Sequence, residues 1–369
     1  MKRLFLTILT VFSLVACDSN PSSYYFELKD LGDHADFHTE LQAKYNEAED
    51  YTSTLGIASG STAKDAPLPI TLSWDGAASN KKEPVSYKVE LYEGRSSRPI
   101  ISENVGTAKE YNVYNLKINT SYKYKVTAVY GAKKSFTSDA STFIISDKGP
   151  RNLYVENVMN IRDLGGHGIK QGYIFRSGRL NEDDGTTTIT DNTIKVMTKE
   201  LGIRTEIDLR RGDENGGINV SPLGTNVKYI HLPMYYGGEN ILTYQGTKNN
   251  VEYDNPTQIL NFFNMLAKQE NYPIDFHCAI GKDRTGCMAY LIGALCGVEE
   301  EYLYRDYLYS NFAKISGTCE VKDIDDRYGA TIKEYEGANL QDKTMKYLNE
   351  VIGVSRDNLH AIRNLLSER

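Results

Sequence analysis

Tryptophan is nearly absent from this chain, cysteine is scarce, and there is no excess of basic residues. The 369 residues include one Trp, five Cys and ten Pro, and 49 acidic against 42 basic side chains leave a formal charge of −7. That balance argues against a nucleic-acid partner, because binding a phosphate backbone normally shows as net basicity or a basic stripe. The cysteines lie at positions 17, 278, 287, 296 and 319. None falls in a CxxC pair or in Cys/His ligand spacing, and their number is too small for a disulfide framework. Neither a metal nor an organic cofactor is expected. The first apolar run, Leu4 to Val15, would reach about 18 Å as a helix, short of the ~30 Å hydrocarbon core of a bilayer.

That run has another use. Lys2 and Arg3 precede it, and Leu14-Val15-Ala16-Cys17 ends it, which is the layout of an export signal. The ending resembles the bacterial lipoprotein cleavage box. The resemblance implies a signal peptide over 1–17, acylation of Cys17, and a protein held by its lipid on the membrane of a bacterial cell envelope. Stable anchoring takes more than one acyl chain.

The length suits two domains and a tail. Residues 18–66 are polar, with a Ser59-Gly60-Ser61-Thr62 tract, and read as a tether with a short helix near Glu40 to Asp50. Residues 67–147 alternate apolar and polar side chains in Ile70–Trp74, Val85–Tyr92 and Tyr122–Val129, with turn residues such as Asp75-Gly76 and Asn119-Thr120 between them. This is the pattern of an all-β sandwich. The early Trp74 and the Leu116/Tyr122 spacing of a tyrosine corner resemble a fibronectin type III domain, expected to serve as a spacer.

After Asp147-Lys148-Gly149-Pro150 the period changes. Helical patterns over 192–201, from Asn255-Pro256, and from Arg284 to Cys296 alternate with strands at 205–209, 227–232 and 274–277. Alternation of this kind predicts an α/β domain over 150–369 with a mostly parallel central sheet flanked by helices, whose ligands bind beyond the carboxyl ends of the strands. Cys278 falls at such an end.

Residues 276–288 read FHCAIGKDRTGCM. A strand enters a short loop and a helix leaves it, so the N–H groups of Ala279, Ile280, Gly281, Lys282, Asp283 and Arg284 are placed to form a nest for a tetrahedral anion. Gly281 supplies the backbone freedom. Arg284 offers a planar fork for two phosphoryl oxygens. The same positive field lowers the pKa of a thiol, so Cys278 is expected as a preformed thiolate. Thr285 is placed to donate to that sulfur, and His277 to order the loop. An acid is still needed for the leaving oxygen, and Asp283 and Asp208 both compete for that role.

The string HCAIGKDRTG resembles the signature loop of the cysteine-dependent protein tyrosine phosphatases. More specifically, it looks like the bacterial branch with a Lys-Asp pair before the Arg, which acts on phosphotyrosine and often on phosphoinositides. Asn160-Ile161-Arg162-Asp163-Leu164-Gly165-Gly166, Phe175-Arg176-Ser177-Gly178, Ile207-Asp208-Leu209-Arg210 and Asp306-Tyr307-Leu308-Tyr309-Ser310-Asn311 resemble further motifs of that branch. The resemblance implies Cys278 as nucleophile, Arg284 as clamp, and Lys282 and Asp283 as shapers of substrate choice or proton transfer. A phosphorylated protein or a small phosphomonoester is the partner it implies.

Two features depart from the pattern: Asp275 interrupts a normally apolar strand, and no Trp-Pro-Asp acid loop is present. Arg162, Arg176 and Arg210 either ring the pocket or pair with Asp163, Glu206 and Glu214. Residues 211–254 read as a lid, with Tyr235-Tyr236-Gly237-Gly238 as its moving part, or as a solvated insertion.

Overall fold

The computed structural model describes residues 20–32, 34–132, 134–237 and 240–368. The expected leader 1–17 with Cys17, and Gly238 of the expected lid, lie outside the described residues. The chain divides into two compact units.

The first unit holds the described residues before position 33 together with 71–112 and 121–144. Its period-two pattern produces strands with one buried face. Ser86–Glu93 and Ser121–Tyr130 pair antiparallel with Val89 opposite Val126, and Tyr87, Val89, Leu91, Tyr122, Tyr124, Val126, Ala128 and Tyr130 all turn inward. This sheet continues to Ile101–Asn104 on one side and Ser141–Ile145 on the other. A second sheet orders Tyr24–Leu28, Ile70–Ala78 and Glu110–Val113. The Trp74 ring meets Tyr87 at 5.6 Å, and buried Tyr122 stacks on Phe143 at 5.7 Å.

Asp75-Gly76 is not a turn. Both residues continue the strand Ile70–Ala78, opposite Glu27 and Phe26. A Cβ on Gly76 would lie 2.3 Å from the Tyr25 carbonyl oxygen, so glycine serves here to admit a neighbouring strand.

The second unit comprises residues 34–70, 113–120 and 145–369. Its six-stranded sheet runs in the order Arg151–Asn152, Arg162–Asp163, Ile174–Ser177, Ile274–His277, Thr205–Asp208 and Lys228–His231. The last four are mutually parallel, and each of the first two pairs antiparallel with the strand that follows it in this order. The helix Asp283–Cys296 is buried along its whole length, which is why its sequence is apolar on every side. Gly297, at φ 86°, ends it as a left-handed cap. The helix Asn255–Leu266 buries Ile259, Phe262, Phe263 and Leu266. Its cap is Asp254, whose carboxylate accepts from the Thr257 N–H. Asn255 is instead buried and donates to the carbonyls of Tyr235 and Ile241.

Part of the expected tether belongs to this unit. The helix Glu40–Asn46 forms inside the predicted range, and Tyr45 and Gln42 on it are buried. The Tyr45 hydroxyl donates to the Arg305 carbonyl at 2.8 Å, and the Gln42 amide to the carbonyls of Lys64 and Asp65. A polar composition concealed this, because the few buried side chains lie too far apart to make a periodic signal.

The stretch expected as a lid contains the hairpin Gln245–Lys248/Val251–Asp254. Ile241 N–H donates to the Arg327 carbonyl, and the Asn240 amide donates to the Thr331 hydroxyl.

Candidate active site

The central parallel strand Ile274–His277 delivers Cys278 to its carboxyl end, and the loop closes at Asp283, where the buried helix begins. Gly281 has φ 68°, and a Cβ there would lie 2.5 Å from the Ser177 carbonyl oxygen, so only glycine fits. Every carbonyl from 278 to 282 has a hydrogen-bonding partner. Cys278 O lies 3.3 Å from His277 Nδ1, and Ala279 O accepts from the Arg179 N–H at 3.2 Å. Ile280 O and Gly281 O accept from Asn160 Nδ2 at 3.1 and 3.0 Å, and Lys282 O accepts from the Gly286 N–H. The N–H groups of residues 279–282 make no hydrogen bond among the described residues.

Burial pushes the Cys278 thiol up. The charge of Arg284 and the nearby Thr285 hydroxyl and N–H outweigh burial, and the net position is below an ordinary thiol. The other described cysteines behave oppositely: burial alone raises Cys287, and it pushes Cys296 up to about 11 and Cys319 up to about 12. Of the four described cysteines, Cys278 alone has its thiol held below the ordinary range.

Arg284 is buried, and one of its amino groups, Nη1, donates to Glu214 Oε2 at 2.6 Å and to the carbonyls of Met234 and Leu209 at 3.3 and 3.4 Å. Nε and Nη2 have no hydrogen-bond partner among the described residues. Glu214 therefore fixes the guanidinium by one corner and leaves a fork of two donors.

Beneath the loop, His277 is fully buried. Burial opposes its charge, but Asp208 and Glu206 push it up to about 9. Its Nε2 lies 2.9 Å from Glu206 Oε1. Doubly protonated at neutral pH, the ring donates on both sides, including to the Cys278 carbonyl.

Residues 153–368 match the tyrosine phosphatase family, and residues 64–144 match the fibronectin type III domain. The chain belongs to the tyrosine phosphatase family. A Cupriavidus necator protein, named among the tyrosine-protein phosphatases, is 25% identical over 185 residues. The match covers 45% of this chain and 65% of that protein, so it spans less than two thirds of its relative. Among solved structures, the core catalytic domain of the PP-IP phosphatase SIW14 from S. cerevisiae, in complex with citrate, shares 17% identity at a TM-score of 0.33. The match covers 53% of this chain and 96% of that one. TpbA from P. aeruginosa shares 15% at a TM-score of 0.32, over 52% and 92%.

Within this phosphatase-family chain, the residues singled out from sequence separate into two groups. Cys278, Ala279, Ile280, Gly281, Asp283, Arg284 and Thr285 lie at one loop–helix junction. The Lys282 ammonium turns away from it, buried 3.4 Å from the Thr318 carbonyl and 3.8 Å from Asp323. Asp208 is withdrawn as well. It is fully buried, grips Arg210 through both oxygens and accepts from the Tyr229 hydroxyl at 2.9 Å. Although burial opposes it, His277 and Arg210 hold this carboxyl well below the usual range, so it has no proton to give. Asp208 is therefore corrected from candidate acid to a buried ion-pair partner.

The arginines form neither the predicted ring nor the predicted pairs. Arg162 and Arg176 share Asp306, Arg210 takes Asp208, Asp163 pairs with Arg151, and Glu206 with His277. Arg176 nevertheless supports the loop, donating to the Gly281 carbonyl at 2.5 Å.

Asp283 Oδ1 is held by Arg327 and, at 3.3 Å, by the Tyr307 hydroxyl. The Arg327 guanidinium lies 4.8 Å over the half-buried Tyr236 ring. Nothing near Arg327 in the sequence marks it, whereas Asn160 and Asp306 stand in motifs already noted.

Proposed function

We propose that this chain is a phosphomonoesterase of the protein tyrosine phosphatase type, acting through a cysteinyl-phosphate intermediate. Cys278 Sγ attacks phosphorus while the bond to the leaving oxygen breaks, and Asp283 gives that oxygen its proton. Water then attacks the phosphocysteine, the S–P bond breaks, Asp283 takes the water proton, and orthophosphate leaves with the thiolate restored. The loop N–H groups and the Nε/Nη2 fork of Arg284 hold the equatorial oxygens and the charge that develops on them. Thr285 steadies the sulfur as leaving group in the second step.

The observation that carries this reading is the lowered thiol of Cys278 beside a guanidinium with two unpaired donors. Asp283 is preferred as acid because it adjoins the loop and its Oδ2 makes no hydrogen bond among the described residues, whereas Asp208 is wholly engaged. The Tyr236 ring and the averted Lys282 support an aryl phosphate over a substrate bearing several phosphates. Residues 1–17 add export and acylation at Cys17, and with them an envelope location on a lipid anchor.

The test is turnover by the full chain on phosphotyrosine peptide, phosphoinositide and inositol polyphosphate, each with Cys278→Ser beside it. Expected are highest kcat/KM on the peptide and none measurable for the variant. Preferred hydrolysis of inositol polyphosphates would move the substrate class. Tight binding of phosphorylated ligands without turnover by the wild type would make the protein a docking lipoprotein instead.

A further inference from the structure

We infer that Asn160 is a positioning residue of the anion cradle. Its side-chain amide, seconded by Arg176, draws the carbonyls of Ile280 and Gly281 outward and so aims the Gly281 and Lys282 N–H groups at the phosphoryl oxygens. The inference rests on the phosphatase reading above.

In a planar trans peptide the C=O and the N–H point in opposite directions. Fixing the oxygen of Ile280 on the outside therefore fixes the N–H of Gly281 on the inside, and fixing Gly281 O does the same for Lys282. Asn160 Nδ2 reaches both oxygens, at 3.1 and 3.0 Å, and Arg176 reaches the second at 2.5 Å. These are the two peptides that flank Gly281. Glycine has no Cβ to resist rotation, so this is where the loop is least able to hold its own orientation.

The bracing side chain is itself immobilised. Asn160 is 2% exposed and sits at φ 56°, a left-handed conformation that Asn and Asp tolerate better than other side-chain-bearing residues. Its N–H donates to Asp65 Oδ2 at 2.7 Å, and its Oδ1 accepts from Arg162 at 2.6 Å. Arg162 and Arg176 are both anchored on Asp306, from the helix Glu300–Tyr309. Three sequence motifs that make no hydrogen bond to the sulfur among the described residues, around Asn160, Arg176 and Asp306, thereby converge on the loop.

Asn160→Asp retains the left-handed backbone and an acceptor for Arg162 but puts a carboxylate where the donor was, and Asn160→Gly removes the donor without adding charge. The two are read together: weakening by Asp alone, with Gly at wild-type affinity, is direct repulsion of the anion and overturns the inference. The measurement is orthovanadate affinity of the full chain by competitive inhibition and by calorimetry, with Tm alongside. Loss of one well-aimed donor to an anion predicts at least about tenfold weaker vanadate binding, with Tm within a few degrees of wild type. Wild-type affinity in the folded variant overturns the inference, as does a lowered Tm with unchanged affinity, since that is what ordinary structural support would give. Should Asn160→Asp fail to fold, Arg176→Lys is read in the same way: weaker vanadate binding supports the brace and unchanged binding overturns it. A wild-type chain that neither binds vanadate nor turns over would instead refute the underlying phosphatase reading.

Discussion

Replacing Arg284 by Lys separates the charge of the clamp from its shape. In the folded chain one corner of the guanidinium is committed to Glu214 at 2.6 Å and to two carbonyls, and Nε and Nη2 stay available for phosphoryl oxygens. An ammonium group keeps the unit charge, but a single nitrogen must serve both Glu214 and the anion. The variant therefore loses about two charge-assisted hydrogen bonds to the transferring group, each of order 1.5–3 kcal/mol. With partial recovery by the ammonium, a net loss of about 3 kcal/mol lowers kcat/KM roughly 150-fold. That lies in the range seen when one oxyanion donor is removed, about 10²–10³. The thiolate depends on the charge rather than the fork, so the pH midpoint for alkylation of Cys278 by iodoacetamide should hardly move. Steady-state kinetics on an aryl phosphate and alkylation rates against pH read the two quantities separately. Activity within threefold of wild type would refute the argument from shape. A drop in activity matched by a large rise in the alkylation midpoint would place the loss in the thiolate and refute the assignment to the fork.

Asp283→Asn should lower turnover of phenyl phosphate by about 10²–10⁴, the usual contribution of a general acid, and that of a nitrophenyl ester with a better leaving group far less; equal losses on both would dismiss Asp283 as the acid. Asp275 is buried, its Oδ1 has no hydrogen bond, and burial pushes its carboxyl up to about 7. Because that lies above the unfolded value of ~3.9, its contribution to stability is complete below pH ~4 and is lost as pH rises through about 7. Asp275→Asn should remove this loss, so in urea unfolding the variant gains on wild type between pH 5 and pH 8, and an unchanged difference between the two pH values would contradict the assignment.

Much of the loop was legible in the primary structure because it is contiguous. Cys278, Gly281, Arg284 and Thr285 lie within eight residues, and a strand before them with a helix after them leaves few ways to arrange the backbone. The strands Ser86–Glu93 and Ser121–Tyr130 were legible for a related reason, since burial alternates along them with period two. Other features had no local signature. The strand Tyr24–Leu28 lay in a stretch read as tether, and its partner's Asp75-Gly76 imitated a turn.

What sequence alone determined here was an α/β unit after an all-β one, and a thiol, a guanidinium and a glycine at one strand end. Only the tertiary structure decided which carboxylate meets which arginine. It assigned Glu214 to Arg284 and Asp306 to both Arg162 and Arg176. The physical reason is distance along the chain. Asn160 and Ile280 are 120 residues apart, and a hydrogen bond between them leaves no periodicity behind; it exists because the sheet sets the strands beside them, Arg162–Asp163 and Ile274–His277, on either side of Ile174–Ser177.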